Sequence, residues 1–269
     1  MTKIALKSFS GTVALLQLSQ VGDMKRLKVY FSQLPAYSIV VIGEYVLDLF
    51  FTEIKDVAKG IITNDSNKKL DLLSSISKEF NLYIVAPIIT GSKDKIFKKM
   101  ALITPMKTYF YTQQRLINFP HWDEASFFDN SASTLKTPLI FDANGLKFAL
   151  LFGYELHFDE LTLKLKNADV DAILLPCVNT FESKARWKEL IKVRSFLNTC
   201  YIFRVNRVGS VKYIDGNIWE FYGNSLGALG GEIVNELGDK EGMLCVDIDS
   251  KSLNEVKSQW SFKKESLTN

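Results

Sequence analysis

Histidine is almost missing from this chain, with two in 269 residues. A metal centre built on imidazole therefore has little to draw on. "HFDEL" and "PHWDE" each set one histidine beside carboxylates, and both read as helix starts, where first-turn acids are favoured by the helix dipole. Cysteine is nearly as scarce. Cys177, Cys200 and Cys245 are odd in number, so they cannot all pair, and none stands at metal-ligand spacing. Each falls in an apolar, strand-like run, where a free thiol behaves as a small hydrophobe. The expectation is a reduced, cytoplasmic protein without metal or cofactor. An excess of one charge is absent too: 33 Lys and Arg face 30 Asp and Glu, leaving +3. That gives no electrostatic reason to expect nucleic acid as a partner. The longest apolar run, "YSIVVIGEYVLDLFF", contains Glu44 and Asp48 and breaks before it could span a bilayer. Lys3 and Lys7 precede "GTVALLQL", which is too short for a secretory signal and reads as a buried strand. No repeat, low-complexity block or linker interrupts the chain. The expectation is one domain over 1–269, with 261–269 a flexible tail.

What the chain does have is apolar content, 47% of its residues, enough for a substantial core. "TVALLQL", "YSIVVIG", "LYIVAPIIT" and "DAILLPC" are continuous apolar strands, which implies cover on both faces. Amphipathic helices lie between them. "MKRLKVYFSQL" aligns Leu27, Tyr30, Phe31 and Leu34, and "NKKLDLLSSISKEFN" aligns Leu70, Leu73, Ile76 and Phe80, with Asp65-Ser66 as its cap. "KKMALITP" and "KTYFYTQQRL" read as adjacent strands turning at Pro105. The last 50 or so residues read as three glycine-punctuated strands around "FYGNSLGAL", "EIVNEL" and "MLCVDID". Either one open sheet or two packed sheets, with helices outside, fits this order.

Functional groups in such folds gather at the carboxyl ends of strands. Those ends carry Glu44, Gln113, Gly153, Cys177-Val178-Asn179 and Asn206-Arg207. Glu44 follows "SIVVIG" directly, where a buried carboxylate needs a partner; alternatively it reaches solvent or caps the next helix. In "LKFALLFGYELHFDEL" a strand runs through a bend into a helix, a turn that normally lifts a reactive side chain above the sheet. Here the bend holds Gly153, which has none.

The order of motifs resembles the nitrilase superfamily, the carbon–nitrogen hydrolases, along nearly the whole chain. "VALLQL" resembles its opening strand, and "VVIGEY" stands where the family usually has Pro-Glu-Tyr. "YTQQRL" is similar to its "YxKxxL" strand, and "HWDEASFF" follows. "FGYELHF" resembles its Cys-Tyr-Glu elbow, and "ILLP" the strand after it. "WKELIKVRSFLNTCYIFRVNRVG" resembles its arginine-rich helix leading into Asn-Arg-Val-Gly, and "FYGNSL" its Gly-x-Ser strand.

The resemblance implies a four-layer αββα sandwich that pairs into a homodimer or higher oligomer. It also implies metal-free, cofactor-free attack on a small amide or nitrile by a cysteine, with a glutamate moving protons and a lysine stabilising charge. Carried over by position, Glu44 is the general base and Glu124 the positioning glutamate. The lysine position is Gln113, and the cysteine position is Gly153. Tyr154, Glu155, Cys177, Asn179 and Arg207 are expected to line the ligand site. With two of three groups replaced, the expectation is a catalytically degenerate member that binds a small amide-like ligand or acts through oligomerisation. The alternatives are an active hydrolase with a displaced nucleophile, or a chain altered at those two positions. Cys177 could stand in as the thiol, though a structural cysteine is the plainer reading. Glycine suits the elbow if its backbone is strained or left-handed. Without a lysine at 113, Glu44 is expected to be protonated near neutral pH, or paired with Arg115, Arg204 or Arg207.

Overall fold

The structure is a computed structural model that describes residues 4–6, 8–180, 182–213, 216–260 and 262. Apart from Phe262, the expected tail therefore lies outside the described residues.

Two sheets pack face to face. The first has six strands in the order Gly242–Asp247, Thr12–Gln17, Ile39–Ile42, Tyr83–Gly91, Ile96–Ile103, Thr108–Thr112. The second has seven: Ile4–Leu6, Ile140–Ala143, Leu146–Leu150, Ala172–Cys177, Tyr201–Asn206, Leu226–Leu229, Glu232–Glu236. Strand alternation divides each sheet's residues between two cores. Val13, Leu15, Val41 and Met100 of the first sheet meet Phe148, Leu150, Leu174 and Phe203 of the second. On the outer face of the first sheet, Leu16, Val40 and Ile84 receive Leu27, Phe31, Leu73 and Ile76 from the helices. Outside the second, Ile173, Leu175 and Ile202 receive Leu161, Leu165, Trp187 and Ile191. The αββα order is the one expected.

Three local expectations need correcting. The long helix begins at Lys59 and runs to Phe80, so Asp65 and Ser66 lie inside it and do not cap it. They serve other bonds: Asp65 pairs with Lys69, and Ser66 Oγ lies 3.3 Å from Asp48. "FYGNSLGAL" is two strands in different sheets, because Gly223 (φ +63°) and Asn224 (φ +57°) turn the chain between them. Cys245 is exposed: in its edge strand Leu244 and Val246 take the inward phase. No helix among the described residues is long and apolar enough to cross a membrane.

Candidate functional site

Two parallel strand ends from opposite sheets converge here. Ile39–Ile42 runs out at Gly43, and the backbone N–H of Glu44 donates to the Cys177 carbonyl at 3.2 Å. The Gly153 N–H donates to the Glu44 carboxylate. The base strand is thus joined to the strand ending at Cys177 through backbone, and to the elbow through the Glu44 carboxylate.

The partner of Glu44 is Lys98. Its Nζ lies 2.6 Å from Glu44 Oε2 and 2.7 Å from Glu124 Oε1, and 4.6 Å from the Tyr45 ring centroid. Tyr45 donates its hydroxyl to Glu124 at 2.5 Å. Lys98 is 3% exposed, Glu44 3% and Glu124 0%, so the cluster is shut away from bulk water. Burial pushes the Glu44 carboxyl up to about 7, against the pull of Lys98. Burial acts on Lys98 in the lowering sense, but Glu124 and Glu44 outweigh it and hold the ammonium above its usual range.

None of the three arginines pairs with Glu44. Arg207 donates to the Tyr45 carbonyl at 2.9 Å and stacks on Phe221. Arg204 is bound to Asn224 O, Asn179 Oδ1 and the Tyr222 hydroxyl. Arg115 lies over Phe158. Lysine wins the place because Lys98 stands opposite Gln113 on the neighbouring strand. Lys99 pairs with Thr112, and the Gln113 N–H reaches the Lys98 carbonyl at 3.2 Å. Asn130 clamps this rung, donating to both Lys98 O and Gln113 O and accepting from Lys98 N. Gln113 itself turns its amide away, to Arg115 O at 2.8 Å.

Lys98 escaped the sequence reading, although a signal was there. In "IFKKMALI" the inward phase is Ile96, Lys98, Met100 and Leu102. A charge on the buried phase of a strand requires a buried partner.

Gly153 has a different reason from the one expected. Its φ is not in the left-handed region; what it needs is space. A Cβ built on it would lie 2.6 Å from Cys177 Sγ and 3.3 Å from Cys177 Cα. The sulfur of Cys177 fills the room in which a side chain at 153 would stand. Burial pushes that thiol up to about 12, against the pull of the neighbouring Arg204 guanidinium. Arg204 is 0% exposed, and its Nε has no hydrogen-bond partner among the described residues.

Glu155 is not a lining residue. Its carboxylate accepts from the N–H groups of Phe152, Gln114 and Arg115 and from the Tyr111 hydroxyl. It ties the elbow to the loop carrying Gln113, and burial raises its carboxyl to about 7 despite those bonds. Arg207 is buried beside Tyr45 and does not line the cleft described next. Tyr154 and Asn179 do line a cleft, of about 520 Å³, with Phe119, Trp122, Trp187 and Arg186. Asn206 holds Asn179 there by accepting its N–H at 2.7 Å. "PHWDE" is not a helix start: Trp122–Asp123 pairs with Asn118–Phe119, and Glu124 turns inward after it. His157 does sit just before a helix, Asp159–Asn167.

The carbon–nitrogen hydrolase family model matches residues 13–258. A carbon–nitrogen hydrolase from Helicobacter pylori G27 is similar in structure, with a TM-score of 0.83 at 16% identity over 94% of each chain. Nit3 of Saccharomyces cerevisiae, a nitrilase-superfamily member, gives 0.75 at 17% identity over 92% of this chain and 93% of its own. A cysteine-to-alanine mutant of the Nesterenkonia sp. AN1 amidase, in complex with butyramide, gives 0.75 at 16% identity over 92% and 94%. No curated protein matches.

Proposed function

The chain belongs to the carbon–nitrogen hydrolase family, and on that premise we propose that it cleaves the C–N bond of a small, non-peptide amide. Glu44 carries the proton, and Lys98 does the work of the lysine absent at 113. The observation that supports this is the Lys98 ammonium between Glu44 and Glu124, at 2.6 and 2.7 Å. A decaying site has an easier course. Replacing buried ion groups by packed apolar residues is often neutral or stabilising by ~1–4 kcal/mol. Here both acids persist, and a cation reaches them from one rung across the ladder.

Each group has a chemical part. A carboxyl held at about 7 suits a proton shuttle at neutral pH. An ammonium has three donors, and two of Lys98's point at carboxylates. The third suits the oxygen that gains charge as the amide carbon becomes tetrahedral. The aromatic cleft beside Tyr154 and Trp187 suits an apolar or planar acyl group. The scheme calls on no metal or cofactor.

Ammonia release from aliphatic amides, butyramide among them, tests this. Turnover is expected, with Lys98→Met and Glu44→Gln each lowering kcat by roughly 10²–10⁴-fold. One observation favours a second reading, a silent binder of amide-like ligands: Cys177 is 0% exposed and packed against the elbow. Butyramide raising the thermal midpoint without ammonia release would select it. In either case we propose a homo-oligomer, at least a dimer.

A further inference from the structure

We infer that Cys177 is the nucleophile of this site, working from the strand beside the elbow in place of a side chain at Gly153. The inference rests on the hydrolase reading above. Its geometric basis is one shared space: the sulfur lies 2.6 Å from where a Cβ on Gly153 would be. Glycine at 153 is what allows a thiol from 177 to stand there. Lys98 and Cys177 then make one pattern. Each brings to the site, from the adjacent strand, the group that its neighbour position lacks.

Burial keeps Cys177 a protonated thiol, so its attack needs a proton acceptor beside it, and the site holds one. The Glu44 N–H is bonded to the Cys177 carbonyl at 3.2 Å, and the Glu44 carboxylate is bonded to the Gly153 N–H. Proton acceptor and sulfur therefore flank the same glycine. On the other side lies Arg204, fully buried, with its Nε unpartnered among the described residues and no acid paired to it there. Glu124 Oε2 and Gln113 Oε1 are buried without partners as well. These are polar atoms that a bound amide could satisfy. Tyr154 and Val178, the chain neighbours of Gly153 and Cys177, already line the cleft. A single residue separates the open wall from the sulfur.

The Cys177 S–H proton passes to Glu44 as sulfur bonds to the amide carbon, and the C=O π pair moves onto oxygen beside Lys98. Collapse re-forms C=O and breaks C–N; nitrogen takes the proton from Glu44 and leaves as ammonia. Water then gives one proton to Glu44 and attacks the thioester. The C–S bond breaks, sulfur recovers its proton from Glu44, and the acid is released.

Acrylamide, an amide that alkylates thiols, is the probe. The full chain is treated with it and each cysteine's adduct followed by peptide mapping, with ammonia release from butyramide measured in parallel. Cys200, 1% exposed, is the buried comparison, and exposed Cys245 the open one. Cys177 is expected to react faster than Cys200, and Glu44→Gln to slow Cys177 alone by roughly 10²-fold. Cys177→Ala should abolish ammonia release, while Cys245→Ala leaves it unchanged. Cys177 reacting no faster than Cys200, or indifferent to Glu44→Gln, overturns the inference. Continued turnover by folded Cys177→Ala overturns it too, but leaves the hydrolase reading standing, with water as the attacking group. Neither adduct nor ammonia from the unaltered chain ends both. Circular dichroism and the thermal midpoint show that each variant is folded.

Discussion

At the residue scale, Gly153 and Cys177 are coupled by volume. Gly153→Ala places a methyl carbon 2.6 Å from the sulfur, and overpacking of that kind costs ~1–3 kcal/mol. Removing the sulfur with Cys177→Ala leaves contacts of 3.2 and 3.3 Å, which small shifts can absorb. The double variant should therefore be more stable than the two single losses added together, by ~0.5–3 kcal/mol. Urea unfolding midpoints of the four proteins measure this. Glu155 makes a second prediction. Its folded carboxyl titrates near 7 against 4.5 for the ordinary group. Between those values the native state holds the proton and the unfolded state has released it. The stabilisation is complete below about 4.5 and is lost as pH rises through about 7, at up to ~1.4 kcal/mol per pH unit. Glu44, also at about 7, acts in the same direction. The thermal midpoint should fall from pH 5 to pH 7.5, and Glu155→Gln should flatten that slope. Glutamine keeps one acceptor oxygen and turns the other into a donor, so at least one of the N–H groups of Phe152, Gln114 and Arg115 loses its partner, at ~1–3 kcal/mol.

At the scale of elements, the site depends on the hairpin of Ile96–Ile103 and Thr108–Thr112. Its last rung is held by Asn130, which comes from the irregular segment between Asp123 and Ile140 and bonds both strands at 2.8–2.9 Å. Asn130→Ala should cost ~1–3 kcal/mol, since it leaves buried backbone groups unpaired. By freeing the Lys98 backbone, it should also lower kcat more than it raises KM for any amide turned over. Stability curves and steady-state kinetics check the two halves. The irregular segment was the part least legible in the sequence, because its bonds run from side chains to distant backbone and leave no periodic trace. Asn130 and Glu124 act there from positions that no spacing rule marks. The strands were legible for the opposite reason: Thr12–Gln17, Ile39–Ile42 and Ala172–Cys177 are buried along their whole length, and continuous apolar runs report that directly.

At the scale of the molecule, two stacked sheets and their outer helices follow from apolar patterning and the order of motifs. The site follows only in part. Glu44, Glu124 and the Gly153 N–H meet around Lys98 and one another, while Gln113 turns its amide away to Arg115 O. The charge that holds Glu44 came from Lys98, and cross-strand neighbours are invisible until register is known. Arg115, Arg204 and Arg207 were the candidate partners, and none of them reaches Glu44: their contacts are to other side chains, carbonyls and rings. Assembly gives a further prediction. Leu163, Val193 and Leu197 stand 52%, 50% and 41% exposed on the outer helices. Light scattering should give at least twice the 30.5 kDa chain mass, and Leu197→Glu should lower it to that of one chain.

The shared space of Gly153 and Cys177 bears on descent as well as on chemistry. A side chain regained at the elbow meets the sulfur, and a smaller residue at 177 leaves a hole beneath a bare turn. Either first step lowers fitness through stability, and only the pair together crosses the valley. A lineage that once took this arrangement would find it hard to reverse, so Gly153 and Cys177 should be inherited jointly, kept together or lost together among this chain's descendants.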